Sequence, residues 1–411
     1  MTSPSREPAR TPGALQGIML LLPITLSVMG IAVLVPDVPL LMRTFRHIPH
    51  HQYLIQGGVL TMPALCVALL SPLAGWIADR NGRRRFLIGS MVVYAAVGIA
   101  PTMLHHLTAI ILSRVAVGIC EAVVMTVSTT LISDYFQGHA REKWLASQTA
   151  VAALSALALI PLGGLLGRLY GWRGPFGIYL FSLLLAVGLW LFTWEPASEP
   201  PPAAPRVPDE ATETPAAFPW LRLGGICAIT LFASVMFYTL QTQSALALVD
   251  LGVHDTARLG ILTMIASLGV PVGTFVFRAA SRLPISSLLC LEFLVTGGGF
   301  LWMGKASTPG EFVAAAALNQ IGCGMILPTL LTWATRGLAF SIRGRGTGVW
   351  NSTFAVGQFL SGLVVTWLAA QMGGLLSAFV ALGIASVVAA ALALAGQLGL
   401  RNRMAASAAG L

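Results

Sequence analysis

The chain has 411 residues, 56% hydrophobic and only 9% charged, whereas a soluble domain carries roughly 25% charged residues. With a mean hydropathy of +0.80, that composition excludes an ordinary soluble enzyme. The net charge of +9 does not indicate a nucleic-acid binder, because the basic residues fall in short clusters between apolar runs and build no phosphate groove. Twelve membrane helices of about 20 residues would use about 240 and leave the remainder for tails, short loops and one linker.

After a polar tail, residues 1–13, the first apolar run extends from about Ala14 to Leu41. It is longer than a secretion signal, and its Pro36-Asp37-Val38-Pro39 end offers no small-x-small cleavage site, so it reads as a retained helix. Apolar windows then predict spans near 14–38, 53–77, 86–104, 107–132, 144–167 and 174–194. Six more fall near 221–247, 257–277, 284–304, 311–334, 347–370 and 374–398. Between the two sets, residues 195–219 are rich in Pro and Ala and carry Glu199, Asp209, Glu210 and Glu213. Such a segment cannot bury a face and reads as a linker. The expected organisation is all-α and integral to the membrane: bundles at 14–194 and 220–400, the linker between them, and a C-terminal tail at 401–411. Cys66, Cys120, Cys227, Cys290 and Cys323 all lie within apolar segments, without metal-type spacing, and read as small core residues.

Lys and Arg set the orientation. With the N-terminus in the cytoplasm, 17 of the 24 basic residues fall inside, 6 outside and Arg114 within a span, which makes both termini and the linker cytoplasmic. The halves also repeat. Gly75-x-x-x-Asp79-Arg80, closing the second span, recurs 198 residues later as Gly273-x-x-x-Phe277-Arg278, closing the eighth. Duplicated bundles of this kind are a common transporter plan, with the substrate site between the halves.

The most specific stretch is Gly75-Trp76-Ile77-Ala78-Asp79-Arg80-Asn81-Gly82-Arg83-Arg84, in the loop between spans 2 and 3. Gly75 permits close helix approach, Gly82 supplies a turn suited to positive φ, and the arginines anchor the loop. This G-x-x-x-D-R-x-G-R-R spacing strongly resembles the signature loop of the major facilitator superfamily, with all six fixed positions present. The resemblance implies twelve transmembrane helices in two pseudo-symmetric six-helix bundles. It also implies a gating contact of Asp79 with the N-terminal end of helix 11 near Gly346-Thr347, where a helix dipole favours a carboxylate by roughly 0.3–2 kcal/mol. Asp134, in Ser133-Asp134-Tyr135-Phe136, is the expected partner of Arg83.

Helix 4 carries Arg114 and Glu121 inside an apolar run, and Arg114-x-x-x-Gly118 is similar to the superfamily's helix 4 motif. Arg114, Gly118 and Glu121 share a helix face, with Glu121 about 10 Å further along. Intramembrane charges are expensive and mark a cavity, a partner or a proton route. Glu121 is therefore expected to carry protons with Arg114 tuning it, the competing reading being a buried polar network that fixes packing. Glu292 in helix 9 is the other midspan acid; the resemblance implies that the third helix of each triplet packs on the outside, which gives it lipid or a scaffold partner as neighbour, with a coupling role as the alternative.

Helix 5 ends in Ile160-Pro161-Leu162-Gly163-Gly164. This resembles the antiporter motif of drug and proton exporters, with Ile160 and Leu165 replacing two of its glycines. Pro161, Gly163 and Gly164 would let helices 5 and 8 pack tightly and bend. Gly171-Trp172-Arg173-x-x-Phe176 and Pro36-x-x-Pro39 also look like the twelve-helix drug:proton antiporter group. On that fold, helices 1, 4, 7 and 10 line the cavity. The candidates are Thr25, Met29, Tyr238, Gln241, Gln243, Asn319, Gln320 and Met325, joined from helix 11 by Trp350, Asn351 and Gln358. Each could equally serve packing. Amides, aromatics and Met suit an amphipathic organic molecule better than a simple ion. Six of the seven histidines (His47, His50, His51, His105, His106, His254) map to the external side and read as solvated loop residues.

No nucleotide loop or hydrolase constellation is present, and no cofactor or metal is expected. The sequence reads as a secondary transporter of a bacterial inner membrane, working as a monomer and exporting a small amphipathic organic molecule in exchange for protons. A proton-coupled importer and a non-transporting receptor on the same fold are the alternatives.

Overall fold

The computed structural model describes residues 12–196, 218–336, 338 and 340–408; most of the tail 1–13 and of the linker 195–219, and the last three residues, lie outside that set. Six helices precede the linker: α1 (Ala14–Thr44), α2 (His51–Asn81), α3 (Arg83–Thr102), α4 (Leu107–Tyr135), α5 (Gly138–Tyr170) and α6 (Phe181–Phe192), the last preceded by a 3₁₀ segment, Gly171–Leu180. Six follow it: α7 (Trp220–Asp250), α8 (Thr256–Ala280), α9 (Ile285–Met303), α10 (Pro309–Thr335), α11 (Phe340–Met372) and α12 (Leu375–Ala408). The backbone of α12 runs through most of the segment expected as a C-terminal tail.

Gly138–Phe192 is one helical stretch of 55 residues, about 80 Å if straight against a hydrocarbon core of about 30 Å. It turns back at Gly171, whose φ of +68° is open to glycine without strain. The returning segment lies antiparallel to α3: the Ser182 hydroxyl donates to the Met91 carbonyl at 2.8 Å, and Arg84, at the start of α3, donates to the carbonyl of Trp190 at 2.6 Å. The described residues thus make twelve crossings. Both described chain ends and the Arg80–Arg85 loop share one end of the molecule, the near end; the turns after α1, α3, α5, α7, α9 and α11 form the far end.

The first two helices are not regular. Pro23 divides α1, and a 3₁₀ turn at Val35–Asp37 interrupts it again before Val38–Thr44. Leu34 N–H therefore donates to Ile31 O at 3.1 Å rather than to Gly30 O. In α2, Leu54–Thr61 is a π-helix, and Pro63 has no N–H to give to Val59 O in the α pattern. Two carbonyls inside the bundle, Gly30 and Val59, are left for another donor.

Each half has its own apolar core, one contiguous cluster from Leu20 to Leu189 and two from Leu223 to Ala390. The halves meet along α5 and α8, along α2 and α11, and where the 3₁₀ turn of α1 packs on α7 and α8. These contacts gather toward the far end. Along α2 and α11 they include Thr61 Oγ1 donating to Phe359 O at 3.0 Å and Ser352 Oγ donating to Ala68 O at 3.0 Å. Nearer the near end, Gly75 has only a Thr126 methyl close by, from its own half.

Candidate functional site

The near-end loop begins where Gly82 ends α2 with φ +86°, the left-handed geometry expected of it. That turn brings Arg83 between two carboxylates: its guanidinium pairs with Asp79 at 2.8 Å and with Asp134 at the end of α4. Arg84 reaches the other way, to Thr193 Oγ1 at 3.1 Å and the Trp190 carbonyl. Arg80 stacks over the Trp76 ring, 3.8 Å from its centroid. All these bonds stay within the first half. Asp79 is 57% exposed and, among the described residues, its ion partner is Arg83 and not a group at the start of α11, the contact implied by the family resemblance.

In the centre of the first half, Arg114 is fully buried. It takes the two carbonyls released by the helix breaks, donating through Nε to Val59 O at 3.0 Å and through Nη2 to Gly30 O, while Nη1 donates to the Tyr179 hydroxyl at 2.6 Å. Among the described residues its charge is thus met by three oxygens and by no carboxylate. Glu121 sits two turns along α4, also buried, and its Oε2 has no hydrogen-bond partner among the described residues. A methyl group added to Gly30 would lie 3.0 Å from that oxygen. Arg114 and Glu121 therefore both approach Gly30 of α1, and no ion pair joins them among the described residues. Cys66 of α2 and Tyr238 of α7 lie within electrostatic range of the Glu121 carboxyl, which places this acid where both halves face each other.

The far end is closed by glycine backbone. On α5, methyl groups added at Gly163, Gly164 and Gly167 would lie 2.0 Å from Val33 O, 2.3 Å from Thr256 O and 1.6 Å from Asp37 Oδ1. Thr256 Oγ1 donates across the halves to Gly164 O at 2.9 Å. Ile160 O, one turn back, faces Gly260 of α8. Pro161 lies inside α5 beside this crossing. Leu165, which stands where the exporter motif has glycine, is 44% exposed on the outer face, so its side chain leaves the seal intact.

The cavity candidates divide. Tyr238 packs edge-on to Phe354 at 5.6 Å, and Phe354 stacks on Trp350 at 5.6 Å, making an aromatic wall on the second half. Gln241 and Gln358 are half-buried and Asn351 is exposed, with no side-chain hydrogen bond among the described residues. The others are spent on packing. Trp350 donates to Thr230 Oγ1 at 3.0 Å, Gln243 to Gly362 O at 3.3 Å, and Thr25 pairs with Ser155 at 2.9 Å. Met29 and Met325 are core residues. Asn319 departs most from expectation: it donates to Thr296 O of α9 at 3.0 Å and accepts from Gln320 at 3.2 Å, because Gly299 lets α9 lie directly on it. Glu292 faces no lipid; it is fully buried, and neither oxygen has a hydrogen-bond partner among the described residues.

Asp37, Gly167, Tyr179 and Phe354 belong to this architecture and were not singled out as functional residues from the sequence. Asp37 was visible there only as the middle of Pro36-x-x-Pro39, and the spacing Gly163-x-x-x-Gly167 was the overlooked sign of a packing face.

Residues 20–339 match the profile of the Major Facilitator Superfamily. An uncharacterised MFS-type transporter of Salmonella typhimurium strain LT2 is 25% identical over 356 residues, covering 82% of this chain and 87% of that one. Among solved structures, a bacterial homologue of the human lysosomal transporter Spinster, inward-facing and occupied, is similar with a TM-score of 0.76 at 16% identity, over 97% of this chain and 98% of that one. A D-xylose-proton symporter follows with 0.74 at 16% identity, over 92% and 96%. Such identities speak to the fold alone, but the profile covers well over half of the sequence, and the chain belongs to the major facilitator superfamily, a multi-pass membrane protein and secondary transporter.

Proposed function

We propose that this transporter exports a small amphipathic organic molecule in exchange for protons by alternating access, with its near end in the cytoplasm. The bundles 14–194 and 220–400 would rock about the central site, joined by the linker, and one chain would suffice. The observation that carries the reading is Glu121: a buried acid with an unpartnered oxygen, where α1, α2, α4 and α7 meet. An unpaired charge held away from water is expensive, so a carboxyl so placed is suited to take up a proton when shut and to give it up when a water path opens. Arg114 supplies a fixed countercharge held by a hydrogen bond from each of its three guanidinium nitrogens, so it need not move as Glu121 changes state.

The sidedness follows from the positive-inside bias. A conformation with the near end open would then face the cytoplasm, and in it Glu121 would exchange its proton for cargo gripped by the Tyr238–Phe354 wall. Export is favoured by the glycine face of α5, built like the motif of drug and proton exporters. One structural relative is a proton symporter, so direction has to be measured. The test is flux of fluorescent amphipathic dyes in inside-out and right-side-out vesicles under an imposed pH gradient. Export requires accumulation in acid-inside inside-out vesicles; accumulation in acid-outside right-side-out vesicles would instead establish import.

A further inference from the structure

Asp37 is fully buried, and neither side-chain oxygen has a hydrogen-bond partner among the described residues. It lies in the 3₁₀ turn of α1, which packs on α5 of its own half and on α7 and α8 of the other. Its carboxyl is seated on Gly167, where even a methyl group would overlap Oδ1. The charged groups of the surrounding elements are engaged elsewhere or exposed. Arg168 of α5 pairs with Asp255, the N-cap of α8, at 3.6 Å. Arg173 of the 3₁₀ segment donates to Leu104 O at 3.3 Å. Asp250 at the end of α7, His254 beyond it, and Arg43 of α1 itself are exposed. None makes an ion pair or hydrogen bond with Asp37 among the described residues.

We infer that Asp37 is a second proton-binding site, built into the far-end seal and distinct from Glu121, that takes its proton from the far side of the membrane. Ionised, it would place an unpaired charge in an apolar seat shared by both halves, so only the neutral acid fits the closed seal. Opening the far end draws α7 and α8 away from the turn of α1 and admits water to the Asp37–Gly167 seat, and the carboxyl can then ionise. Proton binding from outside closes the seal, and proton loss holds it open. This inference rests on the alternating-access reading above but needs no identified cargo.

Hydrogen–deuterium exchange on the full chain in lipid nanodiscs tests it, following α1 around Val35–Asp37 and α5 around Gly163–Gly167, with intrinsic exchange corrected for pH. In the wild type, protection of these segments should fall as pH rises, by up to about tenfold per pH unit while one proton is released. Asp37→Asn keeps the size but cannot ionise, and should stay protected at every pH. Gly167→Ala, which crowds the seat, should be unprotected at every pH. Glu121→Gln should respond to pH as the wild type does. A wild type whose seal is insensitive to pH, or an Asp37→Asn variant that responds like the wild type, would overturn the inference. Failure of dye export with the pH response of the seal intact would count against the export reading and leave the Asp37 site standing.

Discussion

The two ends of the molecule are held by different physics. At the far end, the halves touch through backbone: Gly164 on Thr256 O and Gly260 on Ile160 O, with a threonine hydroxyl bridging the crossing. At the near end, the strong interactions are charged, and Asp79, Arg83 and Asp134 keep them within one half. Close backbone packing is short-ranged and is lost entirely when helices separate by an ångström or two. A half-exposed carboxylate can exchange one partner for another at little cost. A seal of the first kind and a latch of the second give a machine whose tight side is set by shape and whose loose side is set by charge.

The largest effect should come from spoiling the shape. Gly164→Val must displace the Thr256 backbone of the other half, where even a methyl group would lie 2.3 Å from the carbonyl oxygen, and overpacking of this sort costs about 1–3 kcal/mol or more. The expected outcome is a far end that labels readily with membrane-impermeant thiol reagents at a nearby engineered cysteine, together with lost transport. An unaltered labelling pattern would mean that the glycine face does not make the seal.

Charge removal at the near end should be milder. Asp79→Asn should leave folding and thermal stability almost unchanged, since Arg83 retains Asp134, while weakening the closed near end by about 1 kcal/mol. That amount shifts the alternating-access equilibrium severalfold, visible as greater accessibility of the near-end mouth and slower flux. Equal accessibility and flux in the variant would remove the latch from the account.

Two substitutions should do least. Leu165→Gly restores the glycine found in the exporter motif, but Leu165 faces outward; it should cost up to about 1 kcal/mol of helix stability without changing far-end accessibility. Phe277→Asp restores the acid missing from the second-half repeat and should be tolerated or mildly harmful to flux, because no complementary latch is built around it. A loss as complete as that expected for Gly164→Val would contradict the asymmetry between the ends.

Much of this was legible from residue order alone. Twelve apolar windows gave the crossings, because backbone groups in lipid must be satisfied within helices. The turn at Gly82 and the Arg83–Asp134 pair followed from residue type and position. The facing of side chains did not follow. Helices whose outer sides touch lipid are apolar all round, so there is no polar stripe to tell inside from outside. Asn319 was accordingly assigned to the cavity, whereas Gly299 draws α9 over it. Asp37 was read as punctuation between two prolines, because its burial depends on Gly167, 130 positions away in the chain. The carbonyls that satisfy Arg114 exist only because α1 and α2 break near Pro36 and Pro63, a consequence that side-chain patterns do not display.

The central claim is that Glu121 couples proton movement to cargo, and one variant tests it directly. Glu121→Gln keeps the shape and a hydrogen-bonding group but cannot titrate. In vesicles with an imposed pH gradient, it should abolish concentrative accumulation of a transported dye while dye-for-dye exchange across the same membranes survives. Proton-driven accumulation equal to that of the wild type would eliminate Glu121 as the obligatory carrier.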